Sequence, residues 1–325
     1  MRRREFIVGV GGAAVAWPLA GHAQQAMPPV IGFLYPGVPA QGEQFLAGLR
    51  KGLTEAGYTD GHNVTIVAGW GENDPDRLQQ VAADFVHRNV AIIVAGGLSA
   101  ATAKAATTTI PIVFAIGFDP VQVGYVASLN RPGGNITGVS TMNIDILAKW
   151  VGLLRQLLPS ANRFVALIDT ANPGAQSMSN EAQAAAAAAG LEMQVLSANN
   201  VQDIENVFVE LAKTGAEALL VMPDALFFDN RQRLAMLALG KRIPAIYAVR
   251  DFPEAGGLMS YGSDYADAYR LAGIIASKIL KGEKPGDLPI ERASKFDFVI
   301  NLKTAKALGL DFPPNLLALA NEVIE

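Results

Sequence analysis

Val30-Ile31-Gly32-Phe33-Leu34-Tyr35 and Arg163-Phe164-Val165-Ala166-Leu167-Ile168-Asp169 decide the fold, because each is an apolar run of strand length that opens the same plan. The first leads through Pro36-Gly37 into a helical pattern ending at Ala56-Gly57. The second leads through Asn172-Pro173-Gly174 into one ending at Ala189-Gly190. Each terminal glycine stands where a helix end needs a left-handed residue. The spacing nearly repeats, with 22 residues from Tyr35 to Gly57 and 21 from Asp169 to Gly190. Two similar α/β lobes are expected, each opening with its own first strand.

Outward from these two stretches, strand-length apolar runs alternate with helical patterns, which implies doubly wound parallel sheets covered by helices. Further strands are expected at Asn63–Ala68, Val90–Ala95, Ile112–Ala115, Glu192–Leu196, Ala218–Met222, Ala245–Ala248 and Gly257–Tyr261. Helices are expected at Gly42–Ala56, Pro75–Arg88, Ala100–Thr107, Asp145–Leu158, Ala175–Ala189, Val201–Lys213, Ala225–Leu239 and Asp264–Leu280. The turn signal Asn130-Arg131-Pro132-Gly133-Gly134-Asn135, followed by the extended run Ile136–Thr141, marks the first passage between lobes. Gly257–Gly262 marks a second passage and Lys295–Asn301 a third, which together make a three-crossover hinge of the kind associated with closure around a ligand. On this reading residues 27–138 with about 263–290 form the N-terminal lobe, and residues 139–262 with about 291–325 form the C-terminal lobe.

Residues 1–26 read as a signal peptide: Arg2-Arg3-Arg4-Glu5-Phe6-Ile7 precedes the apolar stretch Val8–Ala20, and cleavage is expected after Ala23. The stretch falls short of the roughly 20 apolar residues of a membrane span. Arg3-Arg4-Glu5-Phe6-Ile7 fits a twin-arginine signal, and an ordinary Sec leader with extra arginines is the alternative. Without the leader the formal charge moves from −4 to −6, an acidic balance that argues against a nucleic-acid partner. The chain has no cysteine, so a disulfide framework, a thiolate metal site and a lipid anchor are all excluded. A freely soluble periplasmic monomer is expected, with no cofactor.

In open parallel sheets ligands sit beyond the carboxyl ends of the strands, so the residues just after each strand are the candidate site. Ser99, in Gly96-Gly97-Leu98-Ser99 ahead of an alanine-rich helix, is read as an N-cap whose neighbouring N–H groups attract an anion, or as a plain structural cap. Asp119-Pro120, after Gly117 and Phe118, has the same cap pattern, with less capacity left for a ligand amine. Asp169, Thr170 and Asn172 open the second lobe and Asp224 ends a neighbouring strand; a carboxylate there would hold an ammonium group or cap its own helix. Arg250, near Asp251 and Glu254, would pair a ligand carboxylate or form an internal ion pair. Tyr35, Trp70, Phe118, Tyr247 and Tyr261 fall near strand ends and would line an amphipathic pocket or simply pack.

Catalytic patterns fare poorly. Gly97-Leu98-Ser99-Ala100-Ala101 imitates a nucleophile elbow, but no histidine follows it, since only His62 and His87 remain after the leader. Those two histidines without cysteine make no metal cluster. The glycines at 9, 11 and 12 lie in the leader and follow no strand, and there is no phosphate-binding loop.

Over nearly its whole length the chain resembles the tryptophan/tyrosine-type (TrpX-like) family of ABC transporter substrate-binding proteins, which have the type I periplasmic binding-protein fold. The resemblance rests on Val30–Leu34, Ala106–Phe114, Ser128–Val139, Glu254–Gly262 and Val299–Lys306. It implies two α/β lobes joined by three crossovers, a ligand in the cleft, and delivery of the closed form to a membrane permease. By that likeness Ser99 and Gly117–Asp119 would hold a ligand's carboxylate and amine, and Asp169, Asp224 and Tyr247 would close from the other lobe. The expected function is therefore capture of a small organic ligand, an amino acid or aromatic acid, for an ABC importer. The alternatives are an exported α/β enzyme and a sensor subunit that presents its ligand to a membrane receptor.

Overall fold

The computed structural model describes residues 27–141, 146–293 and 295–325; the expected signal peptide at 1–26 lies outside them. The first lobe begins with β1 (Val30–Tyr35), α1 (Pro39–Glu55), β2 (Thr65–Trp70), α2 (Pro75–His87), β3 (Ile92–Gly96), α3 (Leu98–Ala106), β4 (Ile112–Ile116) and β5 (Ile136–Ser140). The second follows with α4 (Leu147–Leu157), β6 (Arg163–Ile168), α5 (Ala175–Ala188), β7 (Glu192–Ser197), α6 (Val201–Thr214) and β8 (Ala218–Val221). It continues through α7 (Ala225–Asp229), α8 (Arg231–Gly240), β9 (Ala245–Tyr247), α9 (Asp251–Glu254) and β10 (Met259–Ser263). The chain then runs through α10 (Tyr265–Leu280), β11 (Glu291–Arg292), β12 (Phe296–Asn301), α11 (Leu302–Leu308), α12 (Pro314–Leu317) and β13 (Glu322–Ile324).

Two sheets result, ordered β11-β5-β4-β3-β1-β2 and β13-β12-β10-β9-β8-β6-β7. Every pairing is parallel except β10 with β12. The paired openings are present in both: Gly57 (φ 91°) and Gly190 (φ 71°) follow α1 and α5 in the left-handed region. The chain changes sheet three times, between β5 and α4, between β10 and α10, and between β11 and β12. β5 runs through Ser140 and β11 still belongs to the first sheet, so the first and third changes fall about two residues later than the sequence places them. Their connectors touch: the Ser263 hydroxyl donates to the Thr141 carbonyl at 2.8 Å, and the N–H of Asp264 donates to the Lys295 carbonyl at 3.3 Å.

Both faces of each sheet are covered at its centre, so the central strands are continuous apolar runs, while the edge strands β7 and β11 are largely exposed. On β1, Ile31 and Phe33 are buried on the side of α1 and α10, and Leu34 on the side of α2. The close fit of α10 to α1 brings a helix that follows the second lobe back onto the first. Small residues permit it: a Cβ on Gly52 would stand 1.9 Å from the carbonyl oxygen of Arg270, one on Gly48 2.4 Å from that of Ala266, and one on Gly273 2.5 Å from that of Leu49.

The helix expected over Ala225–Leu239 is broken at Asn230, whose side chain donates to the Leu226 carbonyl at 2.8 Å. Asp229-Asn230 are weak helix formers that readily bond to nearby backbone, and the break leaves α7 only 5 residues long. Residues 120–124 after Asp119 form turns rather than the helix its cap pattern suggested. α1 starts at Pro39, earlier than expected, because proline is suited to a first helical position.

The α1–α10 contact generates a stability contrast. Gly52→Ala should destabilise the protein by about 1–3 kcal/mol or more through overpacking, whereas Gly152→Ala in α4, where a Cβ meets open space, should stabilise it by roughly 0.5–1 kcal/mol. Urea unfolding of the two variants checks this; a neutral Gly52→Ala would mean that the helices are free to part.

Candidate functional site

The carboxyl ends of the strands in the two sheets face one another across a cleft. Tyr35 ends β1, Gly97 follows β3, and Gly117 and Phe118 follow β4; Asp169, Asn172 and Asp224 follow β6 and β8 on the other side. These seven expected residues line one cavity of about 160 Å3, room enough for a group the size of an aromatic ring.

The other five stand off the cavity wall, each for a local reason. Ser99 is not the N-cap of α3. Gly97 is, at φ 53° and ψ −124°, so Ser99 lies inside the first turn with its hydroxyl buried and unpartnered. Asp119 is occupied by its own turn, accepting from the N–H groups of Val121 (2.8 Å) and Gln122 (3.4 Å). Thr170 is exposed and pairs with Asn199, which itself reaches the wall. Tyr247 projects into the core and stacks on Phe252 at 4.3 Å, while the following Ala248 and Val249 face the cavity. Burial pushes the Tyr247 hydroxyl's pKa well up. Arg250 is half-exposed and forms internal ion pairs with Glu254 (3.0 Å), Glu322 and Asp297 (4.0 Å).

Two carboxylates dominate the electrostatics of the wall. Asp224 caps α7 by accepting from the Leu226 N–H at 2.7 Å, and its other oxygen accepts from the Asn172 amide at 2.9 Å. Asp169 accepts from the Ala171 N–H at 2.8 Å. Burial, and then the charge of Asp169, push the pKa of Asp224 up to about 7 against the opposing pull of those hydrogen bonds. Burial raises Asp169 as well. Among the described residues no Lys, Arg or His lines the cavity. An amine entering it meets Asp169 and Asp224, while the third acid of the wall, Asp74, is engaged in capping α2; an anion finds only neutral donors, chief among them the backbone N–H groups at the start of α3.

Aromatic side chains join aliphatic ones in the rest of the wall. Phe45 of α1 stacks on Tyr269 of α10 at 5.2 Å within the first lobe and meets Phe228 of α7 in a tilted contact at 5.3 Å (ring centroids), so the lobes meet through these rings. Tyr35 packs on Phe45 at 5.6 Å, and Phe252 and Tyr265 complete the enclosure. These helical aromatics were absent from the candidates read from sequence, because within a helix they follow the core periodicity. Phe228 alone carried a cue, lying two residues before the poor helix former Asn230.

Asp224 has a folded pKa above its unfolded one, so the ligand-free fold gains from its proton: that contribution is intact below about pH 4 and is lost as pH rises toward 7. A carboxyl-carbon NMR titration should place the midpoint of Asp224 near 7. In Asp169→Asn the midpoint should fall yet stay above the ordinary carboxylate range, since burial is the larger cause. A midpoint near 4 in the parent protein would refute the reading.

Comparison with known proteins agrees with this architecture. A Tyrosine-binding protein of Clostridioides difficile (strain R20291) is 29% identical over 265 residues, which cover 81% of this chain and 76% of that protein. A conserved domain protein from Vibrio cholerae superposes with a TM-score of 0.85 at 25% identity, over 91% of this chain and 99% of that one. An ABC domain from Streptococcus pneumoniae in complex with L-Trp gives 0.84 at 26% identity, over 91% and 100%. The ligand-free, open structure of a substrate binding protein from Clostridium difficile reaches only 0.65 at 25% identity over a similar span, so the two lobes here are arranged more as in the L-Trp complex. Residues 40–324 match the family model described as ABC transporter substrate binding protein, and the chain accordingly belongs to the ABC transporter substrate-binding protein family.

Proposed function

We propose that this protein is a non-catalytic periplasmic receptor that closes on an amino acid with an aromatic side chain and delivers it, as a soluble monomer, to an ABC permease. The observation that carries the reading is the composition of the shared wall: rings from both lobes, Asp169 and Asp224 on the second-lobe side, and on the first-lobe side the α3 N-terminus, with Asp74 there engaged in capping α2. The ligand's ammonium group faces Asp169 and Asp224, its carboxylate faces the N–H groups of Leu98 and Ser99, and its ring enters among Tyr35, Phe45 and Phe228. The names of the relatives, a tyrosine binder and a domain bound to L-Trp, point to the same class of ligand.

Closure supplies the mechanism. Each lobe offers only half of the wall, so a ligand gains its full set of contacts only in the closed form and shifts the population toward it. An enzyme reading finds little support, since neither His62 nor His87 lines the cavity. The leader-like start favours export, and no helix among the described residues is long and apolar enough to cross a membrane. The acidic balance of the chain favours no nucleic-acid partner.

A thermal-shift panel tests the assignment. L-tryptophan or L-tyrosine should raise the melting temperature, by roughly 2.7 kcal/mol of stabilisation at a hundredfold excess over Kd. Indole-3-propionate, which lacks the amine, should have little effect. Asp224→Ala should weaken binding by about 10-fold or more, and Arg250→Ala should leave it unchanged. A flat response to all common amino acids, or turnover of a bound compound, would remove this function.

A further inference from the structure

Among the contacts between the lobes, one is made by a side chain just outside the ligand cavity, beside Asn73 of its wall. Asp229 ends α7 in the second lobe, and its Oδ2 accepts from the Val38 N–H at 3.1 Å and from the Asn73 side-chain amide at 3.0 Å. Both donors belong to the first lobe, one in the loop after β1 and the other in the loop after β2. The two loops are bonded together: the N–H of Gly71 donates to Tyr35, that of Glu72 to Gly37 and that of Asn73 to Pro36, all at 2.8–3.0 Å. Glu72 (φ 53°) and Asn73 (φ 60°) are held in the left-handed region, which costs non-glycine residues energy. Gly37 leaves room for the visitor, because a Cβ there would stand 2.3 Å from the Asp229 carboxylate.

The first lobe thus carries a two-donor receptor for a carboxylate that it does not itself supply. α1, 17 residues long, has no side-chain cap of its own and no acid in its first turn. Its positive end therefore lacks the partner that such helices ordinarily recruit nearby. Asp229 arrives from across the cleft to fill that place.

We propose that Asp229 is an interlobe latch: on closure its carboxylate caps α1 and bonds Asn73, slowing reopening and so lengthening the residence of whatever the cavity holds. It is a positioning residue, since it is not part of the cavity wall. Its Oδ1 is buried without a partner, so closure also takes a charged oxygen out of water. The two bonds offset that cost rather than exceed it greatly, which makes the latch a device that tunes closure without locking it.

The proposal rests on the cleft being the binding site, yet it can be tested without any ligand. The chain has no cysteine, so Lys51→Cys and Met236→Cys, one exposed position in each lobe, take spin labels cleanly. Pulsed electron-spin distance measurements on the ligand-free protein should show a closed population that shrinks in Asp229→Ala and in Gly37→Ala. The second variant leaves the carboxylate in place and blocks its approach; because its Cβ would also stand 2.8 Å from the Tyr35 ring of the wall, it is read by the ligand-free distances alone. With L-tryptophan as probe, stopped-flow on Asp229→Ala should show dissociation faster by about 3- to 10-fold and association altered by less than about 2-fold. Interlobe distances and dissociation rates identical to the parent in Asp229→Ala would overturn the latch. If L-tryptophan does not bind, the ligand assignment fails while the ligand-free distances still decide the latch; and if Asp229→Ala does not fold, Gly37→Ala decides it alone.

Discussion

Three strands of chain run side by side between the lobes, and their mutual hydrogen bonds govern what the molecule can do. Ser263 is bonded to Thr141, and Asp264 to Lys295, so the three passages form one narrow band. A single linker would let the lobes tumble independently, whereas a triple band restricts them to a hinge. With the hinge at one edge, the carboxyl ends of both sheets are held facing each other, and the wall in between is assembled from pieces that neither lobe could use alone. Tyr35, Gly97 and Phe118 on one side, and Asp169, Asn172 and Asp224 on the other, become one site only through this geometry.

Within that site, placing two acids against an apolar wall has a cost that shapes the chemistry. Asp224 resists ionisation because burial and Asp169 both disfavour its charge, although Asn172 and the Leu226 N–H favour it. A positively charged group that enters relieves this frustration, so the empty site is a poor environment for its own carboxylates and a good one for an amine. Asp229 differs, because its burial comes with closure itself and is offset by Asn73 and Val38. Asp169 and Asp224 are thus less comfortable alone than beside an amine, which favours the occupied form.

The architecture was legible in the sequence because it rests on long apolar runs and on glycines at helix ends. β1 and β6 stand where the apolar runs put them. Glu291–Arg292 and Glu322–Ile324 were missed because two- and three-residue edge strands have no periodicity to read. The site was half legible, for a related reason. In a sheet buried on both faces, apolar alternation is lost, so nothing in the sequence distinguishes Tyr35, which meets the cavity, from Tyr247, which sinks into the core. Charged loops mislead differently: Arg250 and Asp119 find nearer partners than a ligand. The wall aromatics Phe45 and Tyr269 read as helix core, and they do pack as such while also facing the cleft.

The interlocking of α10 with α1 has a consequence for biosynthesis. Neither lobe is a continuous piece of chain: the first lacks a helix and an edge strand until Arg292 has been made, and the second lacks its last strand until Ile324. A ribosome-bound chain therefore exposes β5 as an open sheet edge, and the face of α1 that carries Gly48 and Gly52 has nothing to rest against. Completion of both lobes is postponed to the same final stretch of residues, so the protein matures as a whole instead of domain by domain, and no simple truncation yields a self-sufficient half.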